Sequence, residues 1–332
     1  MAHPNKHSNA QVIQSADQPI EDFTQVNFLE VTSTSHDQRL DNFLLSRLKG
    51  LPKTHLYKLI RKGEVRVNKK RAKPETRLTS GDVVRLAPVR LPGQSTIEAS
   101  PQLTQSLLAR VVFEDERLLV IDKPHGIAVH GGSGLAYGVV EALRGHYGRG
   151  LELVHRIDRD TSGLLMLAKK RSSLREAQSW FREKQIRKHY LALICGHLTA
   201  SHVTVNQPLE RYELKSGERR VRVSDQGKPS KTFFSELASG GEVSLVRASP
   251  VTGRTHQIRV HALALGAPLV GDDKYNPKGP SGIRLCLHAH ELELPNGLRF
   301  KAAFPSDLRD AYQTLAKAPL DDKLLATLKG PC

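Results

Sequence analysis

His155-Arg156-Ile157-Asp158-Arg159-Asp160-Thr161-Ser162-Gly163 sets one acid among cations and ends in a turn. Arg156 and Arg159 bracket Asp158, an arrangement that suits a carboxylate kept charged for nucleophilic work. In an extended segment Arg156, Asp158 and Asp160 point to one side and Ile157 to the other. Thr161, Ser162 and Gly163 supply local hydroxyls and a permissive backbone, as a fixed loop running into Leu164-Leu165-Met166-Leu167 needs. Taken alone, an Arg/Asp mixture of this kind is usually a surface ion-pair network. The surrounding chain decides between the two readings.

Leu164-Leu165-Met166-Leu167 and Leu118-Leu119-Val120-Ile121 read as buried strands, each flowing into a loop that carries polar residues. Ser173-Leu174-Arg175-Glu176 has the capping-box pattern, and Leu174, Ala177 and Phe181 continue it as a helical stripe with Trp180 as a core candidate. After Tyr190 the chain turns strand-rich through Val221, Phe233, Leu245 and Val260. Strands in runs with a few helices predict an α+β domain on a mixed, mainly antiparallel sheet with flanking helices.

The chain has 332 residues, enough for two domains, and 50 Lys and Arg against 34 Asp and Glu leave a net charge of +16. That surplus points to a polyanion, nucleic acid before a membrane surface. No apolar run approaches the ~20 residues needed to span a bilayer, and the polar start is not expected to be a signal peptide. Cys195, Cys286 and Cys332 are scattered and unpaired by spacing, so reduced thiols in a cytoplasmic protein are expected.

Residues 1–27 read as a mobile tail, 28–90 as a small basic module, 91–106 as a Pro/Ser-rich linker and 107–320 as the larger domain. In the module Leu40, Phe43, Leu44 and Leu48 fall at helical spacing. A second helix is expected from an N-cap at Thr54 to Gly63, and Val65–Val67 and Val83–Leu86 read as strands. Between Lys53 and Arg77 stand ten Lys or Arg against Glu64 and Glu75. Lys58, Arg61 and Lys62 on the helix, with Lys69, Lys70 and Arg71 on the following turn, form the candidate RNA-binding surface, since phosphate neutralisation needs such a cluster.

Four stretches together resemble the RluA-type pseudouridine synthases. They are the opening motif, with Ile157 where that family has leucine; Asp122-Lys123-Pro124 with Gly126, Val129 and His130; Lys188-His189-Tyr190-Leu191-Ala192; and Gly253-Arg254-Thr255-His256-Gln257-Ile258-Arg259-Val260-His261. They occur in the family's order. Arg39-Leu40-Asp41 and Gly63-Glu64-Val65-Arg66-Val67-Asn68 are similar to the S4 RNA-binding module, so an S4-like (αL-type) module followed by a synthase domain is the expected architecture. One departure is Asn276 after Gly271-Asp272-Asp273-Lys274-Tyr275, where the family commonly has glycine. It is expected to alter only a turn through the left-handed conformation.

The resemblance implies an isomerase that cuts a uridine's glycosidic bond and rejoins the base through C5, with no cofactor and no metal. It implies Asp158 as the reacting carboxylate, Arg259 as its ionic partner, Tyr190 as the stacking platform for an extruded base, and Arg156 filling the gap or clamping phosphate. Large-subunit 23S ribosomal RNA is the implied substrate, acted on by a monomer. Transfer or messenger RNA as substrate, or a non-catalytic RNA-binding assembly factor, are the rival readings. His256, His261, His288 and His290 lack the carboxylate or cysteine spacing of a metal site. His130-Gly131-Gly132-Ser133-Gly134 is expected to be a flexible loop near the RNA. Lys123 is open between RNA phosphate and an internal partner.

Overall fold

The computed structural model describes residues 13–15, 20, 23–48, 51–89, 100–131, 137–148 and 150–330. The Gly-rich stretch 132–134, most of the first 22 residues, residues 91–99 of the expected linker and Cys332 lie outside them. The chain divides into two compact units, Met1–Ile97 and Glu98–Cys332.

The first unit contains β1 (Ile13–Ser15), β2 (Asn27–Glu30), α1 (Leu40–Arg47), α2 (Lys53–Lys62), β3 (Val65–Val67), β4 (Lys70–Arg71) and β5 (Val83–Leu86). Its sheet runs β1-β2-β5-β3-β4. Leu40, Phe43, Leu44, Leu56, Ile60, Val65 and Val84 bury their side chains in one core, as their spacing requires. Gly63 ends α2 at φ 75°, the left-handed stop expected there, but Pro52 and not Thr54 takes the N-cap position. Asn68 and Lys69 both adopt positive φ, 48° and 68°, and turn β3 into β4. Residues 1–27 do not all behave as a tail. Ile13–Ser15 pairs in parallel with β2, and Ile20 is buried in the module's core.

The second unit opens with α3 (Pro101–Leu108), so the stretch read as linker turns helical after Ser100, whose side chain accepts from Leu103 N–H and caps it. Then follow β6 (Val111–Glu114), β7 (Leu118–Lys123), α4 (Val139–Tyr147), β8 (Glu152–Leu153), β9 (Ser162–Ala168), α5 (Arg171–Arg182), β10 (Arg187–Cys195), β11 (His202–Asn206), β12 (Leu209–Glu213), β13 (Arg219–Val223), β14 (Lys231–Gly240), β15 (Val243–Pro250), α6 (Gln257–Ala264), β16 (Leu287–Glu293), β17 (Arg299–Lys301), α7 (Ser306–Ala316) and α8 (Asp322–Thr327). The main sheet runs β11-β14-β15-β10-β16-β9-β7-β6, with β17 beside β16 and β8 beside β9. Among the described residues only β9 and β16 pair in parallel in this sheet; its other described strand pairs are antiparallel. The α+β expectation holds. Val260, read among strand residues, lies in α6, and α5 starts at Arg171 with Ser173 buried in its first turn.

The central strands β7, β9 and β10 are apolar on both faces. Leu119, Ile121, Leu165 and Leu167 pack with α3 and α4 on one side, while Val120, Leu164 and Met166 pack with Ala177 of α5 on the other. Residues leaving the ends of such strands inherit a rigid base.

Several histidines are enclosed in this unit. Burial draws His155 and His288 down to about 3 and His290 to about 4. The unfolded chain binds these protons near pH 6.5 and the folded chain only well below it. Unfolding therefore takes up protons in the interval between, and stability is lost as pH falls below about 6.5. The urea midpoint is expected to drop between pH 7 and pH 5; a midpoint unchanged over that range contradicts the burial of neutral imidazoles.

Candidate active site

β7 and β9 lie side by side, and the loop that precedes β9 carries Asp158. Arg156 is exposed, Ile157 buried and Asp158 27% exposed, the alternation of an extended stretch. The loop closes on itself where Thr161 N–H donates to the Asp158 carbonyl at 3.2 Å. Gly163, at φ 107°, pairs with Lys123 on one side and Ala289 on the other. A Cβ there would sit 2.3 Å from the Ala289 carbonyl oxygen, so only glycine lets β9 and β16 approach. Beside it the Ser162 hydroxyl meets His288 Nδ1 at 2.9 Å.

Lys123 is fully buried, and its ammonium donates to the carbonyls of Pro124 (2.9 Å), Ile127 (2.8 Å) and Arg159 (2.9 Å). Its partner is therefore internal, and backbone rather than carboxylate. Burial draws its pKa down to about 7, against the opposing pull of the Asp160 and Asp158 charges. His155 accepts the Met166 N–H through Nε2 at 3.1 Å and stacks on Phe181.

The facing wall comes from the chain between β15 and α6. Gln257 fixes it: its side-chain carbonyl accepts from the Thr252 hydroxyl (2.7 Å) and Arg254 N–H (3.0 Å), and its amide donates to Lys231 O (3.0 Å) and Thr232 Oγ1 (2.9 Å). In the first turn of the helix, Arg259 is forked onto Asp272 through two bonds of 2.8 and 2.6 Å, both side chains almost wholly buried. Burial opposes the Arg259 charge, but the Asp272 hydrogen bonds and the nearby Asp158 outweigh it and raise its pKa. This corrects the expected Asp158–Arg259 ion pair. Arg259 acts on Asp158 through space, while its hydrogen bonds go to Asp272, and Asp158 Oδ2 lies 3.8 Å from His256 Nε2.

His256 caps α6 in the left-handed conformation, φ 51° and ψ 22°, and its Nδ1 lies 2.7 Å from the Tyr275 hydroxyl. Tyr275 in turn rests its ring 5.0 Å from the Arg259 guanidinium. Asn276 is not among the residues with positive φ; its side-chain amide donates to Leu269 O and Cys195 Sγ, so the departure from glycine supplies a packing bond instead of a left-handed turn.

Tyr190 stands on β10 at a bulge between His189 and Tyr190, opposite Ala248 of β15 and Ala289 of β16. Two alanine neighbours leave its ring room on the sheet. Burial, reinforced by the Asp158 charge, pushes its phenol well up, so it stays protonated at neutral pH. Arg156, Asp158, Lys188, Tyr190, His256 and Arg259 all line one cavity of about 150 Å³. Lys188, drawn to about 8 by burial, donates to Thr252 O at 3.2 Å. Three motifs far apart in sequence thus meet around Asp158. In the first unit Lys58, Arg61, Lys62, Lys69, Lys70 and Arg71 are all exposed, with Lys62 3.7 Å from Glu64.

The sequence reading did not single out Asp272, Tyr275 or the contact of His256 with Asp158. Asp272 and Tyr275 stand in the stretch that departs from the family at Asn276, and His256 stands in the arginine motif, where spacing alone speaks only against a metal ligand.

A loop-mounted carboxylate, an aromatic platform and a buried arginine around a base-sized cavity, with a separate cationic module, define an RNA-modifying enzyme. A family model described as RNA pseudouridylate synthase matches residues 117–264, and an S4 domain model matches residues 38–84. The chain is 47% identical over 309 residues to the ribosomal large subunit pseudouridine synthase C of Haemophilus influenzae, covering 88% of this chain and 96% of that protein. Against the protein of that name from Escherichia coli K12 the identity is 46%, covering 88% and 98%. The solved structure of human RNA pseudouridylate synthase domain containing 4 aligns with a TM-score of 0.55 at 27% identity, over 66% of this chain and 98% of that one. The chain belongs to the RNA pseudouridylate synthase family and carries an S4 domain ahead of the synthase domain.

Removing Asp272 strands a buried guanidinium beside the Asp158 loop. Asp272→Ala is expected to cost roughly 3–5 kcal/mol in urea unfolding; a loss within about 0.5 kcal/mol, as for an ordinary surface substitution, would show the fork to be expendable.

Proposed function

We propose that this protein converts several uridines of 23S ribosomal RNA to pseudouridine, as a cytoplasmic monomer that uses neither cofactor nor metal. The observation that carries the proposal is the meeting of Asp158, Tyr190 and Arg259 in one cavity behind an exposed Arg156. The name borne by the bacterial relatives supports the substrate.

The reaction breaks the bond from ribose C1′ to N1 of uracil and makes one from C1′ to C5. N1 gains a proton and C5 loses one, so composition is unchanged and no redox partner is required. Asp158 supplies the carboxylate that acts on the nucleoside. Tyr190, protonated and half-buried, offers an aromatic face on which the extruded uracil stacks through cleavage and rotation. The Arg259 guanidinium, held in place by Asp272, sets a positive charge behind the carboxylate. Arg156, at the cavity rim, enters the stack that the uridine vacates, which offsets an extrusion cost of about a few kcal/mol. Lys58, Arg61, Lys62, Lys69, Lys70 and Arg71 hold the RNA backbone and give binding a steep salt dependence.

The test is tritium release from 5-³H-uridine RNA, comparing protein-free 23S rRNA with a tRNA pool. Release from 23S rRNA by wild type and none by Asp158→Asn is expected. Release from tRNA alone contradicts the substrate, and tight binding without release from either RNA contradicts the enzyme.

A further inference from the structure

A chain of polar contacts runs from the β12–β13 hairpin to the reacting carboxylate. Val221 N–H of β13 donates to the Tyr275 hydroxyl oxygen at 3.0 Å; that hydroxyl lies 2.7 Å from His256 Nδ1; and His256 Nε2 faces Asp158 Oδ2 at 3.8 Å. We propose that His256 is a positioning residue for Asp158, locked by Tyr275 as the tautomer that carries its proton on Nε2 and aims that N–H at the carboxylate. The proposal rests on the uridine-isomerase reading and adds to it the group that orients the carboxylate.

The direction of the chain follows from its ends. Tyr275 already accepts from a backbone N–H, so its own proton is free for His256 Nδ1. An imidazole protonated on Nδ1 instead would turn a lone pair toward an anion. Oriented Nε2–H outward, every dipole in the chain points the same way and each bond strengthens the next. Burial draws His256 to about 4, with Asp158 and Asp272 pulling up and Arg259 and Lys274 pushing down, so the ring is neutral at pH 7. A neutral donor orients Asp158 without taking the role of counter-ion. At 3.8 Å the contact is a dipole facing a charge, a distance that can close when the cavity is filled.

The backbone is built around the same purpose. His256 holds φ 51°, a conformation few residues other than glycine adopt, at the position where the chain enters α6. Asparagine tolerates that conformation equally well, so replacing His256 by asparagine removes the ring without straining the backbone. Tyr275 is clamped from a second side by the Arg259 guanidinium under its ring and packs with Leu209, Val221 and Val260. The hydroxyl thus has one direction in which to donate.

The test uses the full chain and has two arms. The ¹⁵N shifts of labelled histidines at pH 7, with the His256 signal assigned by its loss in His256→Gln, are expected to show Nε2 protonated and Nδ1 bare, and Tyr275→Phe is expected to mix the tautomers. A His256 protonated on Nδ1 overturns the proposal. In single-turnover tritium release from 23S rRNA, His256→Asn keeps an acceptor near Tyr275 but cannot reach Asp158, and is expected to slow the bound-state rate by about 10²-fold with the half-saturating RNA concentration unchanged. His256→Gln, whose amide nitrogen falls near the position of Nε2, is expected to recover most of that loss. Equal losses in the two variants, or a loss confined to RNA affinity, overturn the positioning role. Absence of release by wild type would sink the isomerase reading, while the ring shifts still decide the tautomer.

Discussion

Three carbonyl oxygens, of Pro124, Ile127 and Arg159, converge on the Lys123 ammonium in a site with no solvent exposure. The three acceptors use all three of its hydrogens, and Gly126 N–H donates to the same Arg159 carbonyl at 3.0 Å. A buried cation is tolerated only when so satisfied, and stripping it would leave carbonyls unpaired at about 1–3 kcal/mol each. The consequence is local and geometric. Arg159 follows Asp158, so the end of β7 and the turn beyond it hold the backbone of the reacting residue in place, and the close approach of β9 to β16 at Gly163 holds it from the other end.

The second wall depends on a different economy of charge. Arg259 would be too costly to bury alone; Asp272 neutralises it and leaves its field, rather than its hydrogen bonds, to act on Asp158. That leaves the carboxylate's free edge facing His256 and the cavity. Tyr190 completes the cavity because a bulge and two alanine neighbours make space for a ring on an otherwise packed strand. Each wall is positioned by the central sheet, so the site is as rigid as the strands beneath it.

Much of this was legible in sequence. Helical spacing at Leu40, Phe43 and Leu44, the left-handed stop at Gly63, and the apolar runs of β7 and β9 follow from local periodicity and turn chemistry, and the structure places them accordingly. The motifs around Asp158, Tyr190 and Arg259 stand far apart in the sequence, and the structure brings them together. Pairing was harder to read. Arg259 has a carboxylate at Asp272, thirteen positions along, and another at Asp158 across the sheet, and only the packing of α6 against the following loop decides between them. Ile13–Ser15 carries too short an apolar signal to stand out from a polar start, yet a neighbouring strand edge pairs it. The helix at Pro101 hid inside a Pro/Ser-rich stretch because Ser100 and Pro101 are helix starters as readily as linker residues.

The account stands on one placement: a uridine turned out of its RNA and laid on Tyr190 with its sugar toward Asp158. A crystal structure of Asp158→Asn with a uridine-containing stem-loop of 23S rRNA tests it most directly. The account predicts the uracil ring stacked on Tyr190, ribose C1′ facing the residue 158 side chain, and Arg156 in the vacated stack. A uridine left in its helix, or a base seated away from Tyr190 and residue 158, would contradict it.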